Sequence, residues 1–226
     1  MLPLQNRVTP EGEIIATPDR GLLMGNRGGA FHLPDRTLGT RRWASRQWIA
    51  CVLAFKGRHR EAMMQPNRYT ELFFLDEATA LAAGHRPCFE CRRRDAEHFA
   101  ALWGRARGWP APARAPEMDA VLQSERVGPQ GRKITFRAQL AALPDGTFVR
   151  CAQSAAVQGY LIDDSRLLPW SPAGYGPVLP GPKRRDVDVL TPRSIVAVLS
   201  AGYRPMLHPS AAALPAGRSA HTGETA

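Results

Sequence analysis

The twenty residues from Leu72 to Cys91, LFFLDEATALAAGHRPCFEC, leave the chain few local structures to choose from. Leu72–Leu75 is apolar and aromatic, the composition of a short strand. Asp76 stands where a carboxylate caps the helix that follows, Glu77–Ala83. Gly84 takes the position that needs a left-handed backbone and so stops the helix. Pro87 forbids its continuation. Cys88 and Cys91 then form a Cys-x2-Cys pair, and two thiolates at that spacing grip one metal ion from a single tight turn. Met1–Arg7 lacks a long apolar run, and no stretch of eighteen apolar residues exists. The expectation is therefore a cytoplasmic protein with no membrane span. In a reduced compartment such a pair is a metal or redox site rather than a disulfide.

The flanking sequence predicts an α+β fold. Glu13–Ala16 reads as a strand, whereas the run Gly25-Asn26-Arg27-Gly28-Gly29 reads as a turn. Trp48–Phe55 reads as a buried strand, turned at Lys56-Gly57, with Tyr69–Leu75 as the next. Arg92–Trp103 is a helix with Ala96, Phe99, Ala100 and Trp103 on one inward stripe. The Pro/Ala/Arg-rich residues 104–116 read as a linker. After a helix at Glu117–Arg126, Lys133–Leu140 alternates apolar and polar residues as a half-buried strand does. The turn Pro144-Asp145-Gly146 then predicts a hairpin with Thr147–Ala152. Tyr160–Ile162 is a further strand. Thr191 is placed to cap a last helix that Gly202 ends. The organisation expected is an N-terminal region, 1–103, holding a small hairpin/helix metal module over 48–103. A mixed, β-rich domain over 117–208 and a disordered tail over 209–226 follow. Leu81–Cys88 (LAAGHRPC) is echoed by Leu199–Met206 (LSAGYRPM), which reads as one helix-stop solution used twice.

Charge points to the partner. The chain has a formal net charge of +10, and lysine appears only at Lys56, Lys133 and Lys183. A basic, arginine-rich protein of this kind suggests nucleic acid, because guanidinium clamps phosphate with two parallel hydrogen bonds. Arg58, Arg60, Arg86, Arg92, Arg93 and Arg94 lie close in sequence to the Cys-x2-Cys and are the candidate phosphate contacts. Trp43 and Trp48 are either base-stacking platforms or core residues.

The block 72–91 resembles the N-terminal metal-binding domain of the Ada family of DNA alkylation-repair proteins. The shared pattern is a short aromatic strand followed by EA-x-AL-x-AG-[aromatic]-RPC-x-x-C, and the likeness covers roughly residues 48–92. The resemblance implies zinc, with Cys88 and Cys91 as two of its ligands, and DNA as the partner in preference to RNA. It also implies an upstream Cys-x3-Cys whose first thiolate accepts a methyl group. Here the corresponding stretch, Phe55–Glu61, has no cysteine, and His59 falls where the methyl acceptor stands. Imidazole holds zinc but is not a thiolate activated for methyl transfer.

The candidate ligands are thus Cys88, Cys91, His59 and His85. Cys51 is held in reserve because strand alternation sets it on an apolar face with Ile49, Leu53 and Phe55. Cys151 and His98 read as core and surface respectively. The function expected is a zinc-containing nucleic-acid-binding protein associated with DNA repair or processing. One alternative is a metal-dependent nuclease or other hydrolase, with His59 or His85 as general base and Glu61 nearby. The other is a zinc-scaffolded module that binds a protein or small ligand.

Overall fold

The computed structural model describes residues 2–57, 62–151, 159–180 and 185–212. The first half contains β1 (Gln5–Val8), β2 (Ile14–Ala16), β3 (Leu23–Arg27), β4 (Trp48–Val52), β5 (Leu72–Phe74), α1 (Glu77–Ala82), β6 (Arg86–Pro87) and α2 (Arg93–Ala106). The second contains α3 (Ala115–Arg126), β7 (Phe136–Gln139), β8 (Phe148–Arg150), β9 (Tyr160–Asp163), β10 (Arg166–Ser171), β11 (Gly174–Tyr175), β12 (Leu179–Pro180), β13 (Asp186–Val189) and α4 (Arg193–Ser200). The chain is α+β, as the sequence predicts. Among the described residues no helix is long and apolar enough to cross a membrane.

The first sheet has the order β2-β1-β5-β3-β4-β6. Its central strand β3 runs through the segment read as a turn. Gly25 is the reason. A Cβ there would lie 2.1 Å from the Ile49 carbonyl oxygen on β4, so the glycine marks close strand approach rather than a bend. The second sheet has the order β11-β10-β9-β8-β13-β7, with β12 on β10. β7 and β8 do not form the hairpin that the Pro144–Gly146 turn predicts, because β13 pairs antiparallel with both and separates them. The turn chemistry is present, but it fixes only that the chain reverses. The place between the strands is taken by β13, whose Val187 and Val189 are buried with Val149, Tyr160 and Ile162.

Helix α1 is buried along its whole length, which explains its alanine-rich sequence. Ala80 and the adjoining Ala83 face the first sheet beside Leu23, Leu72 and Phe74. Ala78 and Ala82 face the second sheet beside Phe148, Leu161 and Leu168. Leu81 joins Phe99, Trp103, Ile195 and Val198 where α2 and α3 pack on α4. Asp76 caps α1 by accepting from the Thr79 N–H at 2.9 Å, and it also accepts from the Tyr175 hydroxyl and the His208 N–H. Glu77 accepts from the Tyr203 hydroxyl and the Met206 N–H. Side chains and backbone of the second half thus hold the start of the helix that leads to the cysteines.

The predicted stripe Ala96, Phe99, Ala100 and Trp103 is buried. Between α2 and α3, Ala113 is buried in the helical core and its N–H donates to the Ala100 carbonyl. Thr191 does not cap α4. Its hydroxyl accepts from the Phe148 N–H instead, tying the loop to β8. Both helix stops take one form: His85 N–H reaches Ala80 O and Gly84 N–H reaches Leu81 O, while Tyr203 and Gly202 repeat the pattern onto Val198 and Leu199. Gly84 and Gly202 carry φ of +87° and +109°, so each stop needs its glycine.

Candidate metal centre

The stop at Gly84 turns the chain into β6, which pairs parallel with β4 through Ile49–Arg86 and Ala50–Pro87. One residue further, the Cys88 N–H donates to the Ala50 carbonyl at 3.0 Å. This register brings Cys88 alongside Cys51 at the end of β4. The chain then folds back, Arg92 N–H bonding Cys88 O at 3.0 Å, before α2 begins. Cys91 is on that turn. The sulfurs of Cys51, Cys88 and Cys91 all lie within 4.8 Å of one another. Three thiolates on one tetrahedral zinc at about 2.3 Å stand roughly 3.8 Å apart, so the cluster needs at most a small contraction to close on an ion.

The sulfurs are set up for negative charge. The Glu90 N–H points at Cys88 Sγ at 3.4 Å. The Cys51 thiol, with the Glu90 and Cys91 N–H groups, pulls Cys88 down to about 5 against the effect of burial. Cys91 is lowered chiefly by Cys51, with help from the Val52 N–H. Cys51 is raised because it shares its proton with both neighbours. A thiol hydrogen-bonded to two neighbours that are both made more acidic is a site where a soft cation replaces a proton. The chemistry of the donors therefore fits a thiolate-bound metal. A cavity of about 130 Å³ adjoins them, lined by Asn26, Leu53, Phe55, Tyr69 and Glu90 among others.

The structure brings together Cys88, Cys91 and the reserve residue Cys51. Strand alternation set Cys51 on the right face with Ile49 and Leu53, but that face is not core. Trp48 and Ala50 are buried on the other side, while Leu53 is exposed. His59, Glu61, Arg58 and Arg60 lie outside the described residues. His85 is not among the clustered ligands. Its ring is fully buried, 5.1 Å from Trp48 and 4.6 Å from Phe74 between centroids, with Nε2 accepting from Arg27 Nε at 3.4 Å. A general-base role would also need access that this position denies.

Arg86 is not free for phosphate, since it is buried in a two-pronged pair with Asp119, 2.9 and 2.8 Å. Arg92 is likewise buried and engaged, at 2.8 Å from Glu77 and 2.7 Å from Asp95. Of the six arginines, Arg93 and Arg94 are exposed near the cysteines, Arg93 pairing with Glu97 on the surface. Trp48 is core, and Trp43 is half-buried. Cys151 is buried in the second sheet, and His98 is exposed, stacked on Tyr203.

His85 carries a pH prediction. Burial first, then the charges of Arg27 and Arg126, hold its pKa well below the ordinary value. It is therefore neutral in the folded protein, whereas the unfolded chain takes up a proton near pH 6.5. The His85 contribution is complete above that pH and is lost as pH falls below it, by up to about 1.4 kcal/mol per pH unit. His85→Phe keeps an aromatic ring, and Phe74 and Trp48 remain to pack it. It is expected to flatten the fall in urea-unfolding stability between about pH 6.5 and 4.5, whatever its offset at pH 8. A slope equal to the parent's would show that His85 is charged in the folded state.

No family model matches the chain, and neither does any curated protein or solved structure.

Proposed function

We propose that the chain is a zinc-containing nucleic-acid-binding protein in which the metal ties the end of β4 to the Cys88–Cys91 turn. The observation that carries it is the convergence of three cysteine sulfurs from two segments separated by β5 and α1. His59 is the proposed fourth ligand, from its place in the sequence after β4. The Ada-like block and the net charge of +10 support DNA as the partner, with exposed Arg93 and Arg94 beside the metal turn. Zinc on this reading is structural: it fixes β6 against β4 and so sets where α2 and its arginines begin.

Two measurements test it together. Purified protein is expected to carry about one zinc per chain, as a single four-ligand site requires. Binding to labelled DNA, followed by anisotropy, is expected to weaken linearly in log–log against salt, as phosphate contacts release counterions. Metal-free protein that folds and binds equally well, or binding indifferent to salt, would overturn the proposal.

A second reading, a metal-dependent hydrolase, is favoured by one observation: the described residues supply three donors beside a cavity. Catalytic zinc sites keep one position for water, whereas structural sites close it. His59→Ala separates the two. On the structural reading zinc affinity falls at least about ten-fold, as loss of a ligand implies, and no cleavage of single- or double-stranded substrate occurs in the parent. On the second, zinc is retained and cleavage by the parent is abolished in the variant.

A further inference from the structure

Nearer the start of β4, a second and larger cleft of about 620 Å³ opens between the β1–β2 turn, the Arg42–Trp43 loop and the segment after α3. Six cationic side chains line it: Arg27, Arg42, Arg126, Arg132, Lys133 and Arg150. Two carboxylates, Glu11 and Glu13, face them, and Glu11 is already engaged by Arg150 at 2.6 Å.

The innermost cations are the informative ones. Arg27 and Arg126 are only 2% and 1% exposed, and both guanidiniums pack on the Trp48 ring, 3.9 and 4.0 Å from its centroid. Arg27 donates to the Gly12 and Arg42 carbonyls and to His85. Arg126 donates to the Gly84 and Arg46 carbonyls and to Gln123, and its buried Nε has no acceptor. Lys133 donates to the Ala82 carbonyl. Among the described residues none of the three forms an ion pair with a carboxylate. Burying a charge costs several kcal/mol unless an opposite charge meets it. A solvated basic face would not carry this cost, so the cluster reads as a site whose counter-charge comes from a ligand. Burial, with Arg27, Arg126 and Arg150 against the opposing pull of Glu11, holds Lys133 down to about 7, in keeping with a field that Glu11 here and Asp119 at Arg126 offset only in part.

The cleft is too large for a lone inorganic anion and falls in the range of small-molecule sites, about 300–1,000 Å³. Trp43 supplies a half-buried ring on its wall, 6.0 Å from Trp48, and aromatic faces stack nucleobases. Gln5 and Gln130 also line it, with donors and acceptors suited to a base edge. We propose that this cleft binds a nucleotide unit, free or within a strand, its phosphate at the half-buried Lys133 over the buried charges of Arg27 and Arg126 and its base on Trp43. The proposal does not require the metal-centred reading, since free-nucleotide binding would stand even if the protein bound no DNA.

The test uses the full-length, zinc-loaded protein titrated calorimetrically with inorganic phosphate, with AMP and dAMP, and with a short single-stranded oligonucleotide. Mononucleotide is expected to bind at least about ten-fold tighter than phosphate, the stacked base adding what single-strand sites typically gain. Trp43→Ala, at a half-buried position, is expected to remove that advantage and leave phosphate binding unchanged. Lys133→Gln is expected to weaken both ligands, with circular dichroism confirming that each variant is folded. Equal affinity for phosphate and mononucleotide, or no binding of either by folded protein, overturns the proposal. Oligonucleotide binding that neither AMP competes for nor Trp43→Ala weakens also overturns it while leaving the DNA reading intact. Mononucleotide binding without strand binding does the reverse.

Discussion

Cys51→Ser is expected to strip the protein of its metal and to lower its melting temperature by more than about 10 °C. Structural zinc contributes apparent free energies of about 10–16 kcal/mol in small metal-dependent folds, and a hydroxyl is a far poorer ligand than a thiolate. Even a loss of 4 kcal/mol corresponds to a shift of about 10 °C in a domain of this size. Cys51 is half-buried and its backbone pairs with Met24 on β3, a pairing that serine keeps, so the substitution itself disturbs little packing. The control is Cys151→Ser, which puts a hydroxyl into the cluster of Val149, Tyr160 and Val187. That change is expected to cost about 1–3 kcal/mol for an unpaired buried polar group and to leave zinc content unaltered. A chelator should reproduce the Cys51→Ser melting temperature in the parent and produce no further fall in the variant. Retention of zinc at parental affinity by Cys51→Ser would remove Cys51 from the site.

Cys51 shows why local signals stop short of the site. Periodicity correctly placed it with Ile49 and Leu53, but periodicity cannot say which face of a strand is core. That was decided by β6, a two-residue strand pairing in parallel across the Gly84 stop. No turn joins β4 to β6, so no local residue choice advertises their contact. The same reasoning explains β13, which enters between β7 and β8 from far along the chain. By contrast, the elements governed by short-range rules were legible: the Asp76 cap, the Gly84 and Gly202 stops, and the inward stripe of α2. Charge was the least legible property. Arg86, Arg92, Arg27 and Arg126 all look solvent-seeking in sequence, yet all four are buried. Their partners, among them Asp119, Glu77 and several backbone carbonyls, come from elements distant in the chain.

Asp119→Ala is the second large expected effect. Arg86 and Asp119 join β6 to α3 through two hydrogen bonds in a site almost closed to water, their side chains 2% and 10% exposed. Removing the carboxylate leaves a guanidinium that cannot shed its proton, beside the Pro87 carbonyl, the Phe89 ring and the like charge of Arg126. Breaking one side of such a pair costs about 3–5 kcal/mol. Replacing both members with apolar residues, Arg86→Met with Asp119→Leu, is expected to recover most of that loss, because the desolvation of two charges disappears along with their attraction. Urea unfolding at neutral pH reads both numbers. A loss below about 1 kcal/mol for the single variant would mean that water reaches Arg86 and screens it, as at surface pairs. The effect should also reach the metal, because Arg86 sits opposite Ile49 in the register that carries Cys88 to Cys51. Zinc release to a colorimetric chelator is therefore expected to quicken in Asp119→Ala and to return toward the parental rate in the double variant. A structural pair remote from the cysteines would change the urea midpoint without changing that rate.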